Sequence, residues 1–256
     1  MFSKSEEATK MYQSERLEKI LSILQKSGYV TVHRLTRELD YSTATINRDL
    51  NLLEAKRLVK RSYGGVTLAD EKEPPLIERY RRMEKVKNGL CEKAMELISD
   101  GDVLFIDGST TTEALGKYLL EKRDLTVITN NLALFLFLSQ NGVNAVSLGG
   151  TLKELPYLLG GSETEANAMR YRADKAFFSA AAITEEGEIS ADEEYETLRR
   201  IMIMNSREAY FMADHEKVGK PIRRVLTDLS SVTGIICDYD FKKETRRKYP
   251  STRFFL

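Results

Sequence analysis

The sequence predicts an α/β protein in two parts: a small three-helix head ending in a hairpin, and a larger, doubly wound body. Three observations carry this expectation. Residues 14–68 repeat apolar side chains at helical spacing and close on a glycine turn. "ADEKEPP", residues 69–75, is charged and ends in Pro-Pro, the composition of a stiff linker. From Gly101 onward, apolar strand-like runs alternate with helical segments, as in a parallel sheet covered on both faces.

The totals fit this size and class. The 256 residues suffice for one large or two smaller domains, and 42% hydrophobic with 30% charged residues describes a globular chain. Formal net charge is zero, so charge has to be read by segment. Two cysteines without a CxxC spacing argue for a reducing compartment, and two histidines are too few for a His-based metal site. No metal and no cofactor is expected. No apolar run reaches the roughly 18 residues of a membrane span, and the opening "MFSKSEEATKMYQSERLEK" lacks a signal-type apolar stretch. A cytoplasmic chain with no membrane association is the expectation.

In the head, Leu17, Ile20, Leu21 and Leu24 form the apolar face of a first helix, with Ser14 as its cap and Gly28 as its stop. Val30-Thr31 is a short extended piece. Val32, Leu35 and Leu39 mark a second, short helix. Ser42 or Thr43 opens a third, whose inward face takes Ile46, Leu50 and Leu53. Its other face carries Thr43, Thr45, Asn47, Arg48 and Asn51, short or planar hydrogen-bonding groups suited to base edges and phosphates. "RLVKR" and "GVTL" then flank Ser62-Tyr63-Gly64-Gly65, a tight turn with Arg57, Lys60 and Arg61 beside it. The whole is a helix-turn-helix with a small β-wing. Residues 14–68 hold ten Lys and Arg against six Asp and Glu, a basic head on a more acidic body. A plain packing module or a protein-docking module would share the three helices and hairpin, but not the Thr/Asn/Arg face and basic wing.

"TVHRLTRELDYSTATINRDLNLLEAKRLVKRSYGGV" resembles the helix-turn-helix of DeoR-type transcriptional regulators, through Ser42, Thr45, Ile46, Arg48, Asp49, Leu50, Leu53, Glu54, Gly64 and Gly65. Asn47 stands where that family usually has Arg, and Tyr63 where it usually has His. The resemblance implies a double-stranded DNA operator as partner. Ser42, Thr43, Thr45, Asn47, Arg48, Asn51, Arg61 and Tyr63 are the candidate contacts.

Residues 69–98 read as linker and connecting helix, with charges of alternating sign. Arg79, Arg81, Arg82, Lys85 and Lys87 there are secondary candidates for holding DNA. In the body, residues 99–256, "DVLFID", "LTVIT", "NAVSLGG", "DKAFFSAAAI", "EAYFMAD" and "VTGIICD" read as strands. "SETEANAMRY" and "DEEYETLRRIMIMNS" read as helices between them. Polar turns fall where such sheets bind ligands, beyond strand C-terminal ends. "DGSTTT", Asp107 to Thr112, offers hydroxyls and successive N–H groups at a helix start. That is an anion cradle without P-loop or GxGxxG spacing. A plain capped β–α turn is the alternative. Asn130, Gly149-Gly150 and Lys217 follow other strand-like runs; Lys217 reads equally as an exposed loop lysine.

"DGDVLFIDGSTTT", "LTVITNN", "LGG", "DKAFFSAAAI" and "ADHEKVGK" resemble, in order, the DeoR-type sensor domain, a Rossmann-like α/β domain related in fold to ribose-5-phosphate isomerase. With the head, the resemblance runs from Glu15 to Asp238. It implies a sugar-phosphate effector. Asp107, Ser109, Thr110 and Thr111 would hold the phosphate, Asn130, Gly149, Gly150 and Lys217 would line the sugar side, and Gly108 is a further ligand-binding candidate in the same turn. Where the family often has Lys-Arg in a later helix, this chain has Arg199-Arg200. An Arg cannot move a proton at neutral pH but can pair with a phosphate. The resulting expectation is a regulator, acting as repressor and homo-oligomer, rather than an enzyme. The rival reading is a sugar-phosphate isomerase or deaminase with Asp107, Asp174, Glu185, Glu186 or Asp214 as acid or base.

Overall fold

The computed structural model describes residues 13–27, 29–55, 58–62, 65–68, 79, 82–154, 157–192 and 194–256, without the side chains of residues 14, 25, 26, 62, 68 and 154. The chain forms two compact units, Met1–Glu73 and Pro74–Leu256.

In the first unit, α1 (Gln13–Ser27), β1 (Tyr29–Thr31), α2 (Val32–Leu39), α3 (Thr43–Ala55), β2 (Val59–Ser62) and β3 (Gly65–Leu68) follow in order. The wing has one strand more than the sequence reading gives it, because β1 pairs with β3 in a sheet of order β1-β3-β2. Ile20, Leu24, Val30, Leu35, Ile46, Leu50, Leu53, Val59 and Val66 are buried together, while Leu17 and Leu21 are half-buried at its margin. α1 already includes Gln13, so Ser14 lies within the helix rather than capping it. Gly28 lies outside the described residues. Thr31 caps α2 by accepting from Arg34 N at 3.2 Å, and Asp40, at φ 56°, ends it.

One polar pair sits inside this core. The Asp49 carboxylate of α3 is fully buried and accepts from Arg16 Nε at 2.5 Å, from Arg16 Nη2 at 3.1 Å and from Gln13 Nε2 at 3.1 Å. The Arg16 guanidinium also lies 4.5 Å from the Tyr41 ring centre. The pair therefore fixes α3 against α1, setting which face of α3 points outward.

The second unit is a seven-stranded sheet of order β14-β13-β11-β9-β4-β5-β6, every neighbouring pair parallel. The strands are β4 (Val103–Ile106), β5 (Thr126–Thr129), β6 (Asn144–Ser147), β9 (Ala173–Phe178), β11 (Ser206–Ala213), β13 (Gly234–Cys237) and β14 (Arg253–Phe255). Six match the sequence reading; β14 is a three-residue addition. Two short ladders were also not anticipated, β7 (Thr151–Glu154) with β8 (Leu158–Gly160) and β10 (Glu188–Ser190) with β12 (Val225–Asp228).

α4 (Glu84–Met95) was assigned to the connecting segment, yet Leu90, Cys91 and Ala94 bury it in the core of the second unit. Beside them pack Leu115, Leu119 of α6 (Gly116–Leu119), and Leu134 and Leu138 of α7 (Leu132–Gln140); the short α5 (Thr110–Glu113) precedes α6. A second cluster takes Ala168 of α8 (Ser162–Ala168) and Leu198, Ile201 and Met202 of α9 (Glu196–Met204); α10 is Lys243–Lys248. Cys91 and Cys237 are both buried, and burial pushes their thiols up to about 12. From β4 the chain turns to β5 and β6 on one side and to β9, β11 and β13 on the other. The C-terminal ends of β4 and β9 thus bound the crevice where the winding reverses.

Replacing Asp49 by Ala would leave the Arg16 charge buried without its counter-charge. Breaking such a pair costs about 3–5 kcal/mol. Urea unfolding followed by helical circular dichroism should show the N-terminal unit melting at much lower denaturant in Asp49→Ala, with the second unit's transition unmoved. An unchanged first transition would remove the pair from the fold's support.

Candidate functional site

The site in the second unit is built on the turn after β4. Asp107 is 2% exposed, and its carboxylate is used from four sides. Oδ1 accepts from Ser109 N at 3.2 Å and Thr112 Oγ1 at 2.6 Å; Oδ2 accepts from Ser179 N at 3.3 Å and Arg199 Nε at 3.1 Å. Asp107 therefore braces the turn and does not face an anion, a correction to its assignment as a phosphate contact. Arg199 is likewise corrected: it is buried between Asp107 and Asp192, which occupy the guanidinium that a phosphate would need.

A Cβ at Gly108 would lie 2.5 Å from Leu158 Cδ2 and 3.3 Å from the Asn130 amide, so any larger residue there would have to displace the Leu158 side chain. Ser109 caps α5, its Oγ accepting from Thr112 N at 3.2 Å. The next two hydroxyls each meet an ammonium group. Lys87 Nζ donates to Thr110 Oγ1 at 2.9 Å, and Lys217 Nζ donates to Thr111 Oγ1 at 3.3 Å and to Ser179 Oγ at 2.8 Å. Ser179 in turn donates to Met212 O at 2.6 Å, tying the ends of β9 and β11 to the turn.

The sequence offers Lys87 as a secondary DNA candidate; it is 5% exposed and also donates to Arg79 O at 2.6 Å, so it lies buried beside the turn rather than on an open surface. Of its companions, Arg82 pairs with Glu216 at 2.5 Å, Arg79 is half-buried, Lys85 is exposed and Arg81 lies outside the described residues. Burial, and then the nearby Lys217 charge, push the Lys87 ammonium down to about 8, against the opposing pull of the Asp214 carboxylate. A signal for this was available: residues 87, 90, 91 and 94 form one apolar helical stripe with Lys87 in it. Ser179 carried no comparable signal.

Asn130 is 2% exposed. Its Nδ2 donates to Leu159 O at 2.9 Å, while its buried Oδ1 has no partner among the described residues. An orphan acceptor beside Gly108 calls for a donor such as a hydroxyl. Gly149 (φ 65°) and Gly150 (φ 106°) form a packing turn: a Cβ on Gly150 would lie 2.0 Å from Thr164 Oγ1 of α8, and Thr164 donates to Gly149 O at 2.7 Å. The pair borders the site through β8, without a polar side chain of its own to offer. Of the acid-base candidates outside the turn, Asp214, 4% exposed just after β11, lies near enough for its charge to act on Lys87, whereas Asp174 and Glu185 lie elsewhere. Asp174 sits at the opposite, N-terminal end of β9, accepting from Val103 N; Glu185 pairs with Lys242.

In the first unit, Ser42 caps α3, accepting from Thr45 N at 3.2 Å. Thr43, Arg48 and Asn51 are exposed, and Thr45 and Asn47 half-exposed, on the face away from Ile46, Leu50 and Leu53. Arg61 of β2 reaches across and donates to Asn47 Oδ1 and Asn51 Oδ1, while its N–H donates to Glu54 Oε1 at 3.2 Å. Strand and helix thus present one polar ridge. Tyr63 lies outside the described residues.

Against known families, residues 16–72 match the DeoR-like helix-turn-helix domain and residues 82–239 the DeoR C-terminal sensor domain. The HTH-type transcriptional repressor GlcR of Bacillus subtilis is 33% identical over 89% of this chain and 89% of its own length. The lactose phosphotransferase system repressor of Lactococcus lactis is 33% identical over 81% and 84%. The glycerol-3-phosphate regulon repressor of Haemophilus influenzae is 33% identical over 87% and 88%. Among solved structures, ribose 5-phosphate isomerase A from Neisseria gonorrhoeae aligns with a TM-score of 0.39 at 13% identity, over 53% of this chain and 54% of that one. The chain thus spans about half the length of that isomerase. The eIF2B delta structure from Chaetomium thermophilum aligns at 0.47 and 13% identity, over 90% and 72%.

An anion entering the cradle stabilises the charged form of Lys87. Calorimetric titration with a phosphate ester at pH 8, in buffers of different ionisation enthalpy, should show net proton uptake on binding. Affinity should fall as pH rises past about 8. Lys87→Met should abolish the uptake and weaken binding at least about tenfold, the scale of one charge-assisted hydrogen bond. Proton-neutral binding in the unaltered chain would place the anion elsewhere.

Proposed function

The chain belongs to the DeoR family of transcriptional regulators, and on that premise we propose that a phosphorylated sugar, bound in the Asp107–Thr112 turn, controls the grip of its head on operator DNA. The relatives it matches are named as repressors, and the chain is a regulator of carbohydrate-metabolism genes rather than an enzyme. The observation that carries the effector reading is the pair of ammonium groups, Lys87 and Lys217, on adjacent hydroxyls at the point where the sheet's winding reverses. Two ammonium groups, one buried and one half-buried, beside a helix start favour a dianionic phosphate. The orphan Asn130 Oδ1 beside Gly108 supplies an acceptor for a sugar hydroxyl.

In this reading, residues 14–68 are the DNA-binding head, 69–98 the connection and 99–256 the sensor. Thr43, Thr45, Asn47, Arg48 and Asn51 of α3 face the major groove, Ser42 orients the helix start, and Arg61 holds the wing to the helix. Tyr63 belongs to the wing's candidate contacts. Repeated half-sites about 34–36 Å apart, or a multiple of that, need a homo-oligomer with paired heads. Such a regulator works in the cytoplasm; among the described residues no helix is long and apolar enough to cross a membrane. The effector shifts DNA affinity only by the difference in its own affinity for the two states, typically about 1–3 kcal/mol.

The test is fluorescence anisotropy of a duplex from the gene's own upstream region, titrated with protein across a panel of sugar phosphates. Tight, salt-sensitive binding altered by one panel member is the expected result. Absence of binding at low salt would sink the DNA reading. Arg48→Ala should weaken DNA binding by about 1–3 kcal/mol and leave effector binding intact. Thr110→Ala with Thr111→Ala should blunt the sugar-phosphate response while DNA still binds; a full response in that variant would remove the cradle.

A further inference from the structure

We infer that the β6 edge of the large sheet, with α7 lying on it, is the surface where a second copy of this chain docks. This rests on the oligomeric regulator reading and gives it a location. Between Leu125 and Leu152 the chain has no Asp, Glu, Lys, Arg or His, although 30% of its residues are charged. That stretch folds into β5, α7 and β6, at one end of the sheet. β6 is the last strand and pairs only with β5 among the described residues. Exposed edges are usually guarded by a lysine, a proline or a bulge; β6 reads "NAVS" and has none of these.

α7 packs on β5 and β6 and buries Leu134 and Leu138 toward them. Its other face leaves Leu136 45% and Phe137 39% exposed, with Ala133 one turn earlier. Phe137 lies against Gly116 of α6, where a Cβ would be 3.5 Å from its ring, and Leu120, one turn beyond Gly116, is 40% exposed. The apolar patch therefore continues from the open strand edge across α7 to the end of α6.

The absence of charge selects the occupant. Along β6 and α7 a nucleic acid would find no cation, and a charged peptide no counter-charge; α6, at the far end of the patch, carries the exposed Lys117. A second copy brings the same uncharged face and the same open edge, so no charge is stranded. A two-fold axis beside β6 would run the two β6 strands antiparallel, satisfy both rows of free backbone groups and set α7 against α7 of the other copy. Three half-exposed side chains alone fall short of the roughly 800 Å² per partner of a stable interface. The strand edge on the same face supplies the remainder.

The full-length chain would be studied by sedimentation equilibrium, with Phe137→Lys beside the unaltered protein and circular dichroism to confirm folding. The unaltered chain is expected to be at least dimeric at micromolar concentration, and Phe137→Lys to raise its dissociation constant at least about tenfold. As a second measurement, Ala133→Cys and Leu136→Cys should form disulfide-linked dimers under mild oxidation. Met204→Cys, at a site 74% exposed on α9, should not. The two native thiols are buried and stay silent. An oligomer that neither Phe137→Lys nor the cysteine variants detect would overturn the location while leaving the oligomeric reading. A chain that is monomeric throughout would overturn both.

Discussion

The ligand end of the large sheet depends on one buried carboxylate. Asp107 joins the turn after β4 to itself through Ser109 and Thr112, to β9 through Ser179, and to α9 through Arg199. A carboxylate this deep is tolerable only when its lone pairs are taken. The same turn brings the buried Thr110 and Thr111 hydroxyls to Lys87 and Lys217. In the proposed reading, Asp107 serves a ligand by holding the groups that would touch it.

The small unit uses the same device. Asp49, buried in α3, is held by Arg16 and Gln13 of α1, and the outward face of α3 follows from that contact. Arg61 then ties the wing to the amides of Asn47 and Asn51 on that face. In both units a buried charge-assisted pair orients an element that carries the proposed recognition groups. The cost of leaving either pair half-made explains why the orientation is fixed rather than adaptable.

In the proposed reading, Lys87 links a bound effector to the backbone of Arg79, upstream of α4. The same ammonium group donates to Thr110 in the turn and to the carbonyl of Arg79, upstream of α4. An anion that recruits this lysine competes for or reinforces its bond to that upstream backbone. The segment it holds follows the Pro-Pro linker, so a change of a few kcal/mol at Thr110 acts where the sensor's chain begins.

Much of this was legible in the residues alone. Apolar spacing located all three head helices, six of the seven parallel strands and the turn of Asp107 to Thr112, because burial periodicity is a local property of sequence. The roles within the turn were not local. Asp107 looks like a ligand contact until Arg199 and Ser179, 92 and 72 residues away, are seen to occupy it. Lys87 looked like a surface charge because its neighbours in sequence are charged, and only packing of α4 against α5 and α6 buries it. Gly149-Gly150 looked like a ligand approach and proved to be room for Thr164. Periodicity and turn chemistry determined the elements and where a ligand would enter. Which side chains were left to meet it was decided by the tertiary structure, since a polar group's availability depends on partners that the chain brings together only on folding.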